Sequence, residues 1–184
     1  MRPIFTVHAG EFLVGEHIEQ NFKGKSKKNI WVPTKDTGVD LLVTNQENKK
    51  AISLQVKFSK DFIPMMKLPS SIQKELRVCT WFTLDREKMK RSVADLWVFV
   101  LAGFANRTYD YVVIKPTELI RRLDALDANS KKFQIYIWVT EHERCWLTRG
   151  LSKDDHDDIS KNAFASSVRD LTRYLNNWSL IGSL

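Results

Sequence analysis

Cysteine is scarce in this sequence: two occur in 184 residues, Cys79 and Cys145. That count excludes a small scaffold stapled by several disulfides. Both lie in apolar, strand-like surroundings, where reduced, buried thiols are expected. Glycine and proline are also sparse, at seven and five, which argues against long disordered linkers. No apolar run approaches the roughly 20 residues that a membrane-spanning helix needs. Residues 1–22 carry Glu11, Glu16 and Glu19, so a secretory signal is not expected. The glycosylation-like triplets at Asn106 and Asn177 therefore carry no weight, and the expected compartment is the cytoplasm. No internal repeat or low-complexity tract is present.

What remains is the composition of an ordinary globular chain, with 43% apolar and 28% charged residues. Its length suits a single domain, residues 1–184, with a sizeable core. The net charge is +7. Basic residues cluster at Lys23, Lys25, Lys27 and Lys28, at Lys49 and Lys50, at Lys88, Lys90 and Arg91, at Arg121 and Arg122, and at Lys131 and Lys132. Such clusters either form a solvated basic surface or attract a polyphosphate partner through Coulomb forces and counterion release. No basic amphipathic helix stands out, which disfavours a membrane surface as the partner.

Periodicity and turn residues predict a helix over residues 8–22, closed by Gly24 as a C-terminal cap. Strands are predicted at 30–32, 39–44 and 51–58, with a polar turn at 45–50 between the last two. Pro64 and Pro69 punctuate a loop, and a strand or helix entry at 78–84 follows. A short helix over 85–92 is capped by Asp85. The continuous apolar run at 96–102 reads as a central strand, with 109–114 as its hairpin partner. Pro116 opens a helix to about residue 126. A strand at 133–140 and a helical region over 154–178 complete the chain, the latter from the spacing of Ile159, Phe164, Val168, Leu171 and Leu175. The pattern predicts an α/β fold, a mixed central sheet flanked by helices.

Three of these elements carry candidate chemistry. On strand 51–58, Ile52, Leu54, Val56 and Phe58 alternate with Ser53, Gln55, Lys57 and Ser59, so Gln55 and Lys57 share the polar face. That pattern alone describes an amphipathic strand with one wet side. Asp40 lies among Val39, Leu41, Leu42 and Val43, where a carboxylate is costly unless it is exposed, paired or bound to a cation. On the first helix Val14, Gly15, Ile18 and Phe22 form one stripe. Glu11 falls within that stripe and Glu16 well outside it. An acid near the helix start is also what the macrodipole favours, with no further role required.

In chain order these residues give a helix acid, a strand acid and then Gln-x-Lys on the adjacent strand. The stretches Ala9-Gly10-Glu11, Thr37-Gly38-Val39-Asp40-Leu41-Leu42-Val43 and Ile52-Ser53-Leu54-Gln55-Val56-Lys57 together resemble the PD-(D/E)XK nuclease superfamily. The resemblance covers about residues 8–60. More loosely, Asp95–Val100 and Tyr111–Pro116 look like later sheet strands of small restriction-like and homing-type members.

The resemblance implies a restriction-endonuclease-like fold and a DNA endonuclease that uses Mg²⁺, with Mn²⁺ as an alternative. Restriction, homing or repair duties all fit. It implies Asp40 and Gln55 as metal ligands, Glu11 as an assisting acid that also offers the metal a hard oxygen ligand, and Lys57 as the residue that helps activate the attacking water. The backbone carbonyl of Val56 is a further candidate ligand. Two positions depart from the pattern. Val39 stands where the family's proline would be, and Gln55 stands for the usual Asp or Glu. A glutamine carbonyl can ligate a cation but brings no charge. A catalytically weak or inactive nucleic-acid-binding module of the same fold is therefore the alternative. A homodimer is the arrangement that cutting both strands would call for.

Lys23, Lys25, Lys27, Lys28, Trp31 and Lys60 are the expected nucleic-acid contacts, with Trp31 the best placed of the six tryptophans to stack on a base. Most of the tryptophans sit in apolar strand patterns that predict core packing. Two further clusters read as structural. Around His142, Glu143 and Cys145 no closed zinc ligand set appears. The acidic run Asp154, Asp155, Asp157 and Asp158 lacks the glycine and terminal glutamate of a calcium loop and suits a helix start.

Overall fold

The computed structural model describes residues 3–35, 37–63, 67–103 and 108–184, with side chains from residue 9 onward. Pro64 of the predicted loop and the triplet at Asn106 lie outside the described residues. Helix α1 (Pro3–Asn21) begins earlier than residue 8, because a proline at the first helical position already has the right φ and no N–H to waste. Val14 and Ile18 are fully buried, and Glu16 and Glu19 are exposed, as the stripe predicts. Gly24, at φ +60°, ends the run and opens a single 3₁₀ turn, Gly24–Ser26.

Strands β1 (Lys28–Trp31), β2 (Leu41–Asn45) and β3 (Ala51–Lys60) form an antiparallel meander. The β2–β3 turn is held by the Asn45 side chain, which accepts from the amides of Lys49 and Lys50 at 2.8 and 3.0 Å. The chain then leaves this sheet through α2 (Ser70–Lys74), β4 (Leu76–Asp85) and α3 (Arg86–Lys90). Asp85 caps α3 as predicted, accepting from Lys88 N at 3.0 Å. The chain returns as β5 (Leu96–Gly103), parallel to β3 and buried along its whole length. The antiparallel strand β6 (Thr108–Ile114) completes a mixed five-stranded sheet in the order β1-β2-β3-β5-β6.

α1 packs on one face of this sheet, with Val14 and Ile18 against Leu54, Val98 and Val100. The seat is tight: a Cβ on Gly10 would lie 3.0 Å from Phe58 Cβ and 3.1 Å from Val56 Cγ1. Gly10→Val is therefore expected to cost about 1–3 kcal/mol by forcing helix and strand apart. A urea midpoint indistinguishable from the parent's would show that the helix has room to give.

The opposite face departs from expectation. It is covered mainly by a second sheet. After α4 (Pro116–Leu126), strand β7 (Lys132–Thr140) pairs antiparallel with β4 and with β8 (Cys145–Leu147). Phe82, Leu84, Ile135 and Ile137 of this sheet meet Phe99, Leu101 and Val112 of the first in the largest core cluster. Both faces of β4 and β7 carry large apolar side chains, so a sandwiched position buries more of them than a sheet edge would. On the outer side Cys79, Trp138 and Trp146 are covered by Ile72 of α2 and Ile159 of α5 (Lys153–Ser160). Both thiols are free and buried, and burial pushes their pKa values up.

The predicted helix over 154–178 is not formed. α5 stops at Ser160, and turns, a 3₁₀ turn (Thr172–Tyr174) and α6 (Ser179–Gly182) follow. Asn162 and Asn176 adopt left-handed φ values of 56° and 49°, which a continuing helix forbids. The buried guanidinium of Arg122 supplies what a helix would have supplied to the carbonyls of Ser167, Val168 and Asp170. The acidic run does start a helix, through a capping box between Ser152 and Asp155. His142 and Glu143 lie in the exposed turn between β7 and β8. No described helix is long and apolar enough to cross a membrane.

Candidate active site

β2 is shorter than β3, and the difference creates a notch. Pairing between them ends at Leu41↔Leu54, while β3 runs on to Lys60 with β5 alone beside it. Gly38, at φ +81°, turns the incoming chain in a way only glycine adopts without strain. Asp40 then enters the gap. Its amide donates to Leu54 O at 2.8 Å, and its Oδ2 accepts from Val56 N at 2.6 Å. The carboxylate thus takes the place of a missing strand residue. A strand residue's N–H and C=O leave on the same edge, so the Val56 carbonyl also points toward this notch.

Gln55 and Lys57 rise from β3 on the face away from α1. They line a cleft of about 750 Å³ together with Trp97 of β5 and Thr83 and Asp85 of β4. The Lys57 ammonium stands 5.3 Å from the centre of the Trp97 ring, a cation–π contact that steers the lysine along the cleft wall. Trp97 is itself fixed by Nε1 donating to Ser92 Oγ at 2.9 Å. Lys88, Arg91 and Lys132 also line the cleft, and with Lys57 they outnumber Asp85 and Glu87. Asp85 is already engaged with the amide at the start of α3. The cleft is thus positive on balance, the sign that draws in phosphate.

The predicted residues divide accordingly. Gln55 and Lys57 line the cleft, while Asp40 meets β3 at its edge, through the amide of Val56, and does not line it. Glu11 follows Gly10 on α1, and that helix rests on the Val56 and Phe58 side of β3. It is therefore rooted in the layer opposite Gln55 and Lys57, and it does not line the cleft. Among the described residues no group of three or more His, Cys, Asp or Glu side chains is arranged to hold a metal. The oxygen donors nearest one another in the β2–β3 pairing are one carboxylate and the backbone of Val56, with the Gln55 amide on the adjoining residue, a set poor in charge for a hard cation.

The expected nucleic-acid contacts also divide. Lys23, Lys25, Lys27 and Lys60 are exposed, and Trp31 is 51% exposed. Lys28 is a correction. It is 5% exposed, its Nζ donates to the backbone oxygen of Leu184 at 2.9 Å, and it lies over the Phe22 ring. Its role is to tie distant segments of the chain together. Conversely, Lys88, Arg91 and Lys132 entered the sequence analysis only as members of basic clusters. They meet because β4 and β7 pair with Asp85 opposite Lys132, a register that no local signal announces.

Trp97, Trp138, Trp146 and Trp178 are buried as expected, but Trp81 is 41% exposed. No protein-family model, curated protein or solved structure matches this chain.

Proposed function

We propose that this chain is a metal-dependent endonuclease that hydrolyses DNA phosphodiester bonds, with Asp40, Gln55 and Lys57 as its working side chains. The observation that carries the proposal is the placement of Asp40. Its carboxylate takes the amide of Val56, the residue between Gln55 and Lys57, and those two side chains line a basic cleft. The mixed sheet, with α1 on one face, agrees in outline with the architecture that the PD-(D/E)XK resemblance implies.

The roles follow from the donors present. Asp40 and the Val56 carbonyl would hold Mg²⁺ or Mn²⁺, with the Gln55 amide oxygen as a neutral third donor. A bound ion would neutralise charge on the scissile phosphate and make a water more acidic. Lys57, a mobile point charge with three donors, orients the attacking water and steadies the charge that builds on phosphorus-bound oxygens. Lys88, Arg91 and Lys132 hold the flanking backbone phosphates. Glu11 is kept as an assisting acid on the helix side of the notch. Restriction, homing and repair remain equivalent roles for such a site.

Incubation of supercoiled plasmid and of branched or flapped oligonucleotides with Mg²⁺ or Mn²⁺ is expected to give nicked or cut product, and EDTA is expected to stop it. Salt-sensitive binding with no cleavage under either metal would favour the second reading, a binding module in which Gln55 has cost the site its charge. Neither binding nor cleavage would end both.

A further inference from the structure

α2 and α5 cover only half of the outer face of the β4-β7-β8 sheet. Over the covered half His156 stacks on Trp138, with ring centres 4.6 Å apart. Over the other half, among the described residues, Trp81, Thr83 and Gln134 are exposed and Tyr136 is half-buried. Trp81 and Tyr136 are directly opposite one another in the β4–β7 register, as are Thr83 and Gln134, and cross-strand partners of this kind share a face. Trp81 is 41% exposed and is braced at its edge by Phe62, at 6.3 Å between ring centres. The Arg149 guanidinium lies 6.0 Å from the Tyr136 ring centre, and Arg149, Lys132, Thr83 and Gln134 are all exposed.

We infer that this bare half-face is a stacking platform for unpaired nucleotides, with Trp81 and Tyr136 meeting bases and Lys132 and Arg149 meeting phosphates. Aromatic rings on a sheet, flanked by cations, are what sequence-tolerant binding of single strands uses, since every base offers a π face. A peptide strand would not need the rings and cations in this alternation. The platform is continuous with the cleft. Thr83 and Lys132 border both the Lys57 cleft and a groove of about 580 Å³ that runs past Tyr136 to Arg149 and Arg169. Thr83 and Trp81 are two strand residues apart, about 6.7 Å, a spacing close to that of successive bases in an extended single strand. An unpaired strand crossing Lys57 would therefore be received here. The inference shares with the nuclease proposal only its partner, a nucleic acid, and needs no hydrolysis.

The test is fluorescence anisotropy with a labelled oligo(dT) 15-mer and a duplex of equal length, in EDTA so that cutting plays no part. Trp81→Ala is expected to weaken oligo(dT) binding about tenfold and to affect the duplex less. Trp81→Phe should keep most of the affinity. Arg149→Ala, an exposed change that leaves the fold alone, should weaken binding several-fold and flatten its salt dependence. The inference is overturned by any of three results. These are unchanged oligo(dT) affinity in both Trp81→Ala and Arg149→Ala, equal losses on duplex and single strand, or displacement of oligo(dT) by polyglutamate as readily as by unlabelled oligo(dT). A loss that follows Trp31→Ala while Trp81→Ala is neutral would likewise assign stacking to the other exposed tryptophan.

Discussion

Lys57→Ala is expected to lower Mg²⁺-dependent DNA cleavage by about 100-fold or more while leaving DNA affinity within a few-fold of the parent. The magnitude is that of removing one preorganised donor from a site where charge develops in the transition state. The split between rate and affinity follows from position. Lys57 is one of four cations on the cleft wall, so its loss removes a modest share of the phosphate attraction and should reduce the salt slope by about one. Arginine is a poor substitute, because its planar fork is bulkier and less mobile than an ammonium. Lys57→Arg should therefore restore binding in full but little of the rate. Single-turnover kinetics at saturating enzyme separate the two effects. A cleavage rate within threefold of the parent's, or a loss of rate matched by an equal loss of affinity, would remove Lys57 from the chemistry.

Arg122→Ala is expected to destabilise the fold by about 3–5 kcal/mol, the range for deleting one partner of a buried ion pair. Arg122 is 5% exposed. Its Nε donates to Glu118 at 2.7 Å, and its Nη1 donates to the carbonyls of Ser167, Val168 and Asp170 at 2.8, 3.0 and 2.9 Å. Removing the guanidinium takes a donor from each of these four acceptors. Glu118 keeps Arg121 and Tyr174 as partners, at 2.9 Å each; together with Arg122 these donors hold its carboxyl down at about 2. Among the described residues the three carbonyls have Arg122 as their side-chain donor, and only solvent could replace it. For a chain of this size the loss translates into roughly 10 °C in Tm, readable by differential scanning fluorimetry. A lysine reaches fewer acceptors at once and should recover less than half. A shift under about 3 °C for Arg122→Ala would mean that water satisfies the 167–170 segment unaided.

The elements most legible in the sequence were those whose signal is local. The run at 96–102 had to be a buried central strand because it offers no polar side to solvent. Pro116 and Asp85 marked helix starts through their own backbone chemistry, and the alternation around Gln55 placed it beside Lys57. Non-local features were not legible. The spacing of Ile159, Phe164, Val168, Leu171 and Leu175 imitates a helix, yet Ile159 and Phe164 serve the core beneath Trp146 while Leu171 serves the core between the sheets. Residues with two destinations cannot share one straight axis. Nor does a strand pattern say which sheet its strand will join, which is why β4 and β7 gave no hint of a second layer. In the candidate site, the shared face of Gln55 and Lys57 is legible because one strand carries both, whereas Asp40 falls just before β2 rather than on it. Glu11 was harder to place, since helix periodicity fixes a side chain's face on the helix but not the layer in which the helix sits. Lys28 reads as part of a basic run because the group that captures it lies 156 residues away in sequence.

Asp40 stands in for a backbone partner as well as carrying charge. With Oδ2 committed to Val56, a single carboxylate oxygen is left over, and the proposed site would add to it only a peptide carbonyl and an uncharged amide. A hard divalent ion asks for about six oxygens, so the polypeptide alone supplies too few of them and too little negative charge. Water and the phosphodiester itself have to make up the shell. On the proposed function, such a pocket would grip its ion well only once nucleic acid was seated, which would tie metal occupancy to the arrival of the polymer.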